Sequence, residues 1–132
     1  MRAYLDTSAA AKLLQREKES VAMQRFADRG DVELVGMLLV ETELRRFATR
    51  NAISQTAVSE VLDGIGLFAF EDSDFTSAGL LPGQALRSLY ALHVQGALSL
   101  GSDCLVSYDA RMVEACGSVG LRVEQPGALP RA

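Results

Sequence analysis

The sequence lacks several features that mark secreted and membrane proteins. It has only two cysteines among 132 residues, Cys104 and Cys116, and these are too few for a disulfide scaffold and lack the local spacing of a zinc site. We therefore predict two buried free thiols. The apolar runs are only a few residues long, and the N-terminus lacks a signal-peptide pattern. We expect a soluble cytoplasmic protein that does not contact membranes.

Positive charge is also scarce. The chain has 13 lysines and arginines against 17 aspartates and glutamates, which gives a net charge of -4. A protein that coats nucleic acid by bulk electrostatics needs clustered basic residues, so this composition excludes that mode. It leaves open an enzyme that acts on nucleic acid, because such an enzyme can gather acids in a metal pocket and place a few arginines on the rim.

Length and composition predict a single folded domain over residues 1–132. Hydrophobic residues make up 48% of the chain and charged residues 23%, which is ordinary for a globular protein. The length suffices for one core. We find no internal repeat, low-complexity tract or linker, and Pro126 and Gly127 are typical of a chain leaving its fold.

Strand-like segments alternate with segments of helical periodicity along the chain. We predict strands at residues 3–5, 33–36, 67–70, 104–107 and 121–123. We predict helices at residues 8–15, 19–28, 38–50, 54–62, 86–100 and 109–116. This alternation predicts an α/β sandwich built on a mostly parallel central sheet.

Two aspartates follow predicted strands and open predicted helices. Asp6 follows the first strand and Asp109 the fourth. Each has a local explanation, because aspartate at the start of a helix caps free backbone amides. Two at equivalent strand ends predict a carboxylate pocket at the C-terminal edge of the sheet. Converging carboxylates repel one another without a cation, so the pocket should bind Mg²⁺ or Mn²⁺.

The helix predicted at residues 38–50 offers two further acids, Glu41 and Glu43. Glu41 pairs naturally with Arg45 four residues on. Glu43 shares a flank with Arg46 and Arg50, which suits phosphate binding but equally suits a solvated helix face with internal ion pairs. Periodicity alone does not choose between the two glutamates.

The helix predicted at residues 86–100 directs Tyr90 and His93 into the protein, because both lie on its apolar arc. Tyr90 on this arc is typical of a core aromatic whose hydroxyl finds one partner. We interpret His93 as a core histidine with satisfied hydrogen bonds in preference to a metal ligand.

These segments together resemble a PIN domain, and in particular the VapC toxins of bacterial toxin–antitoxin pairs. The resemblance extends from Arg2 to Gly127 with segment order and spacing intact. The segments that carry it are Tyr4-Leu5-Asp6-Thr7-Ser8, Glu43-Leu44-Arg45-Arg46, Leu86-Arg87-Ser88-Leu89-Tyr90-Ala91-Leu92-His93, Leu105-Val106-Ser107-Tyr108-Asp109-Ala110-Arg111 and Gly120-Leu121-Arg122-Val123.

The resemblance implies a PIN-like three-layer α/β/α sandwich and a Mg²⁺-dependent endoribonuclease, with Mn²⁺ as a substitute ion. It also implies an RNA substrate, a VapB-like antitoxin partner and a homodimer. The catalytic and metal-binding roles fall on Asp6, Glu43 and Asp109. Glu43 is preferred to Glu41 because an apolar residue and then basic residues follow it, as in the family.

One position departs from the family. Tyr90 stands where the resemblance implies a fourth acidic residue, and a neutral phenol is a poor ligand for a hard cation. We therefore expect the nuclease activity of this chain to be impaired or absent. Arg46, Arg50 and Arg111 are candidate phosphate contacts, and Ser107 is a candidate hydrogen-bonding residue of the site.

Alternative classes are open at this stage. The chain could be a non-catalytic PIN scaffold that serves as a protein-interaction module, which Tyr90 favours and the three retained acids oppose. An α/β phosphatase or receiver domain also presents an aspartate after its first strand. The phosphatase, however, needs a second acid where Ser8 stands, and the receiver needs an inward lysine near the last strands, which we do not find.

Overall fold

The computed structural model describes residues 1–128, and in them five parallel strands form one sheet. In chain order the strands are β1 Arg2–Leu5, β2 Glu33–Met37, β3 Gly66–Phe68, β4 Cys104–Val106 and β5 Val123–Glu124. Their order across the sheet is β3-β2-β1-β4-β5, so β1 lies at the centre. Each predicted strand is present, and the observed sheet is wholly parallel.

Seven helices accompany the sheet in the described part of the chain. They are α1 Thr7–Leu14, α2 Ser20–Ala27, α3 Leu39–Arg50, α4 Gln55–Asp63, α5 Asp72–Gly79, α6 Ser88–Ser99 and α7 Ala110–Ser118. Six correspond to the predicted helices. The prediction missed α5, which begins with a capping box between Glu71 and Asp74 and packs against α6.

The alternation of side chains along the central strand separates two apolar cores. Ala3 and Leu5 face the core that is shared with α1, α2, α3 and α4. Tyr4 faces the opposite core, which is shared with α6 and α7. Helices thus cover both faces of the sheet, and the predicted PIN-like three-layer α/β/α sandwich is confirmed.

The sheet places two chain segments side by side at its C-terminal edge. Leu5 of β1 pairs with Val106 of β4, and the Asp6 amide donates to the Val106 carbonyl at 3.2 Å. The residues that follow both strands therefore meet at one point. This is where open parallel sheets place their sites.

The structure also bears on two further predictions, that the cysteines are buried free thiols and that the chain does not contact membranes. Cys104 and Cys116 are buried and free, as predicted. Across residues 1–128, every helix is too short or too polar to cross a bilayer.

Candidate active site

Asp6 is the N-cap of α1 and is 3% exposed. Its Oδ1 accepts hydrogen bonds from the Ser8 hydroxyl at 2.7 Å and from the Ala9 amide at 3.0 Å. Burial raises the pKa of this carboxyl, although hydrogen bonds from Ser107, Ser8 and Ala9 act in the opposite direction. Asp6 is therefore a buried acid whose anionic form still lacks a full counter-charge, so a cation beside it would be favourable.

Glu43 of α3 is held by side chains from two other helices. Its Oε1 accepts the Thr7 hydroxyl proton at 2.9 Å and lies 2.6 Å from His93 Nε2. Burial acts to raise the pKa of Glu43, but the hydrogen bond and charge of His93, followed by the Thr7 hydrogen bond, lower it overall. Glu43 is thus oriented towards α1 and α6.

His93 continues this network into the core. The histidine is 3% exposed, and its Nδ1 shares a hydrogen bond of 2.7 Å with the Tyr4 hydroxyl. Its two ring nitrogens therefore both have partners, as the interpretation of a satisfied core histidine requires. Its contact with Glu43 was not anticipated, because 50 residues separate the two in sequence.

The structure shows different surroundings for Glu41 and Glu43, the two glutamates between which helical periodicity did not choose. Glu41 pairs with Arg45 at 3.1 Å and points along the surface of α3. Glu43 is two residues further on and so lies on roughly the opposite face of the helix. It lines the cavity between α1, α3 and α6. Only Glu43 is placed to act together with Asp6.

Asp109 is the N-cap of α7 and accepts the Arg111 amide proton at 2.9 Å through Oδ1. Its Oδ2 accepts the Tyr90 hydroxyl proton at 2.8 Å, and this bond raises the pKa of Tyr90. Tyr90 is half-buried, and its hydroxyl has found a hydrogen-bond partner, as expected. That partner is one of the predicted site acids.

Hydroxyl groups fix the two strand ends relative to each other. The Ser8 and Ser107 Oγ atoms lie 3.3 Å apart. Ser8 accepts the Tyr108 amide at 2.9 Å, and Ser107 accepts the Asp109 amide at 3.1 Å. Sequence reasoning named Ser107 but missed Thr7 and Ser8. The signal for both was their position directly after Asp6.

The three predicted acids line one cavity of about 160 Å³. Its lining residues are Asp6, Thr7, Ser8, Glu43, Leu89, Tyr90, His93, Asp109 and Met112. Of the candidate phosphate contacts, Arg46 and Arg50 are exposed residues of α3 outside this lining. Arg111 lines a larger cavity next to it.

The donor chemistry of this cavity suits a hard cation, because carboxylate and hydroxyl oxygens are what Mg²⁺ and Mn²⁺ prefer. Across residues 1–128, however, no group of three or more His, Cys, Asp or Glu side chains is arranged to hold one metal ion. Glu43 is engaged by His93, and Asp109 by Tyr90. The assignment of the three acids as metal ligands thus stays a prediction.

A wholly parallel five-stranded sheet between helical layers, with acids at its C-terminal edge, is the fold of solved PIN-domain toxins. VapC20 of Mycobacterium tuberculosis, described as a sarcin-ricin loop cleaving toxin, superimposes with a TM-score of 0.70 at 15% identity and covers 86% of this chain and 94% of its own. VapBC2 of Rickettsia felis, solved bound to a DNA fragment from its promoter, superimposes with a TM-score of 0.71 at 14% identity. The superposition covers 94% of this chain and 98% of that chain.

Sequence comparison identifies the family within this class. Ribonuclease VapC35 of Mycobacterium tuberculosis is 38% identical over 132 residues, covering 94% of this chain and 96% of its own. Ribonuclease VapC46 of the same species is 31% identical over 125 residues, covering 93% and 96%. No family model matches the chain. At this identity over nearly the whole length, the chain belongs to the VapC ribonuclease toxins of VapBC toxin–antitoxin systems.

Proposed function

We propose that this chain is a VapC toxin of the cytoplasm whose Mg²⁺-dependent endoribonuclease site is impaired or inactivated by Tyr90. The observation that carries the proposal is the Tyr90–Asp109 hydrogen bond of 2.8 Å beside two other acids in one cavity. The three acids suit a metal-dependent nuclease, whereas the hydrogen bond from Tyr90 occupies one of them, Asp109.

In this proposal Asp6, Glu43 and Asp109 hold the metal ion. A bound Mg²⁺ ion would neutralise charge on the phosphate and would lower the pKa of a water molecule bound to it. Mn²⁺ has the same preference for oxygen ligands and serves as a substitute. Asp6 is the central ligand, because it is the most deeply buried of the three and lies between the other two segments. His93 and Thr7 orient Glu43.

Tyr90 acts against this arrangement in three ways. Its phenol stands in for a carboxylate and so removes one negative charge from the site. Its hydroxyl competes with any cation for Asp109 Oδ2. Its ring also fills space in a cavity of only about 160 Å³. Loss of a partner outside the direct ligand set costs about 10- to 100-fold in activity in metal sites, so loss of a ligand costs at least that much.

The test is RNA cleavage in Mg²⁺ by the natural chain, by Tyr90→Asp and by Tyr90→Phe. Tyr90→Asp restores a carboxylate, and we expect at least a ~10- to 100-fold gain in cleavage rate. Tyr90→Phe is the matched control, because it releases Asp109 without adding a charge. It should gain far less than Tyr90→Asp.

A second substitution guards against contaminating nuclease. Asp6→Asn introduced into the Tyr90→Asp background should remove the gained activity. Equal cleavage by the natural chain and Tyr90→Asp would refute the proposed inactivation. Growth arrest on expression should follow the same order as cleavage.

The rival function is a non-catalytic PIN scaffold that binds another protein. The Tyr90–Asp109 bond favours it, since a scaffold has no need of a free acid there. The same experiment separates the two. A long-standing scaffold should stay inactive after Tyr90→Asp, because single-residue repair restores activity only when the rest of the site is intact.

We also propose a VapB-like antitoxin protein and a second copy of this chain as partners. The support is that similar structures are VapBC assemblies, among them VapBC-1 of nontypeable Haemophilus influenzae. Large apolar side chains are exposed as well, including Phe75 at 55% and Leu80 at 79%. Light scattering on the purified chain checks the homodimer, and a monomeric mass at all concentrations would contradict it.

A further inference from the structure

A second cavity of about 690 Å³ lies directly beside the acidic one. The loop before α6, the first residues of α6 and one face of α7 form its walls. Tyr90 lines both cavities, so the two adjoin at this side chain. Its volume lies within the range of about 300–1,000 Å³ that ligand pockets occupy.

The charge of this cavity is opposite to that of its neighbour. Arg87 and Arg111 line it together with a single acid, Glu114. Both arginines are exposed, and neither forms a salt bridge within residues 1–128. Both guanidinium groups are thus accessible to an anion, and that of Arg111 also lies within hydrogen-bonding reach of the Tyr90 hydroxyl, where it acts to lower the pKa of Tyr90 against the larger effect of Asp109. Two such groups are well suited to phosphate oxygens, which they bind in a bidentate manner.

Two further features favour the same ligand. In the part of the chain that the structure describes, no side chain caps the first turn of α6, so its backbone amides can interact with an anion. The half-buried ring of Tyr90 lies at the same helix end. An aromatic ring combined with arginines is the usual means of binding single-stranded nucleic acid, because every base has a face that can stack.

We propose that this cavity binds the nucleotide adjacent to the cleavage position of a single-stranded RNA. Arg87 and Arg111 contact its phosphate, and the Tyr90 ring stacks on its base. The inference rests on the proposed function, because it places the scissile phosphate at the acids. It adds a residue, Arg87, that sequence reasoning did not single out, and it assigns Tyr90 a binding role even in a chain that does not cleave.

The test measures binding of a fluorescein-labelled oligouridylate about twelve nucleotides long, in EDTA so that cleavage is excluded. Fluorescence anisotropy at several NaCl concentrations gives both the affinity and its salt slope. In Arg87→Ala/Arg111→Ala we expect affinity to fall roughly tenfold or more. The log–log slope should become shallower by about 0.7, because both arginines contact one phosphate and each neutralised phosphate of a single strand contributes about 0.7.

The matched control is Arg16→Ala/Arg25→Ala. It removes the same charge from exposed residues that line neither cavity. Its affinity and slope should stay close to those of the natural chain. Equal losses in the two double variants would overturn the inference, because bulk charge would then explain the binding.

Two more outcomes bear on the ring and on the class of ligand. Tyr90→Phe keeps the ring and should retain binding, whereas Tyr90→Ala should lose roughly five- to hundredfold in affinity. Polyglutamate that binds as tightly as the RNA and competes with it would overturn the inference, because the cavity would then suit an acidic protein segment.

Failure of this inference is distinguishable from failure of the proposed function. If Tyr90→Asp cleaves RNA and adding Arg87→Ala/Arg111→Ala leaves its KM unchanged, the cavity assignment is wrong and the nuclease stands. If Tyr90→Asp does not cleave RNA, the proposed function fails. If the natural chain still binds the oligouridylate and Arg87→Ala/Arg111→Ala loses that binding, RNA binding in the cavity stands.

Discussion

At the scale of single residues, Asp6 combines a structural and a chemical role that oppose each other. Its carboxylate caps α1 through the Ala9 amide, which stabilises the fold. Its burial raises its pKa, so keeping it charged costs stability. A buried acid of this kind is favourable only for function, because asparagine caps a helix about equally well without a charge.

We therefore predict that Asp6→Asn raises the melting temperature at pH 7 in EDTA. Because the folded-state pKa of Asp6 is raised above its unfolded value of about 3.9, the folded chain binds more protons than the unfolded chain between the two. Stability of the natural chain is thus lost as pH rises through this window. The advantage of Asp6→Asn should vanish below about pH 4, where both forms are neutral.

Melting curves of both proteins over a range of pH check this prediction. Asp63→Asn is a suitable control, since Asp63 is exposed at the end of α4 and should give little pH-dependent gain. A lower melting temperature for Asp6→Asn at pH 7 would mean that the Asp6 charge stabilises the fold.

The sequence allowed prediction of which acids meet, but not of what holds them. Asp6 and Asp109 follow neighbouring parallel strands, so their proximity follows from the strand order. The Glu43–His93 contact was beyond reach, because α3 belongs to one core and α6 to the other. Their side chains meet only over the end of the sheet, and periodicity describes each helix separately.

At the scale of elements, the position of α6 depends on one glycine. A Cβ at Gly96 would lie 2.7 Å from Met37 Cγ and 3.1 Å from the Tyr4 hydroxyl oxygen. The helix therefore approaches the sheet closely at this residue. The same approach brings His93, one turn earlier, within reach of Tyr4.

We predict that Gly96→Ala lowers the free energy of unfolding by up to about 2 kcal/mol. Alanine gains about 1 kcal/mol in helix propensity, but overpacking a buried contact costs about 1–3 kcal/mol and displaces Met37 or Tyr4. Gly117→Ala on α7 is the matched control, because no atom lies within 4 Å of its added Cβ. It should stabilise by up to ~1 kcal/mol. Urea denaturation of both variants decides, and stabilisation by Gly96→Ala would contradict the close approach.

The one helix that escaped prediction, α5, shows the limit of periodicity. Its sequence carries two aspartates and two serines and has little apolar pattern, with Phe75 exposed and Ala78 buried. The usable signal was local, since Glu71 and Asp74 stand three residues apart and form a capping box. Helix ends of this kind are set by hydrogen bonds that a search for an amphipathic face overlooks.

At the scale of the whole molecule, the acidic cavity is lined by both helical layers, since Glu43 of α3 belongs to one layer and His93 of α6 to the other. An ion held there, as proposed, would join the segments of Asp6, Glu43 and Asp109 and so would link metal binding to stability. An ion that binds only the folded state stabilises it by an amount that grows with concentration above its Kd.

We predict that Tyr90→Asp melts at a lower temperature than the natural chain in EDTA and is stabilised by added Mg²⁺ or Mn²⁺. The new carboxylate would repel Asp109 without a cation, and a bound cation removes that repulsion. At about 100 times Kd the gain is ~2.7 kcal/mol. The natural chain should gain less, because Tyr90 holds Asp109 and lacks a charge.

Thermal melts across a metal titration measure both gains, with Asp6→Asn in the Tyr90→Asp background as the control that should lose the effect. Equal gains in the natural chain and Tyr90→Asp would show that position 90 takes no part in metal binding and would contradict the proposed inactivation by Tyr90.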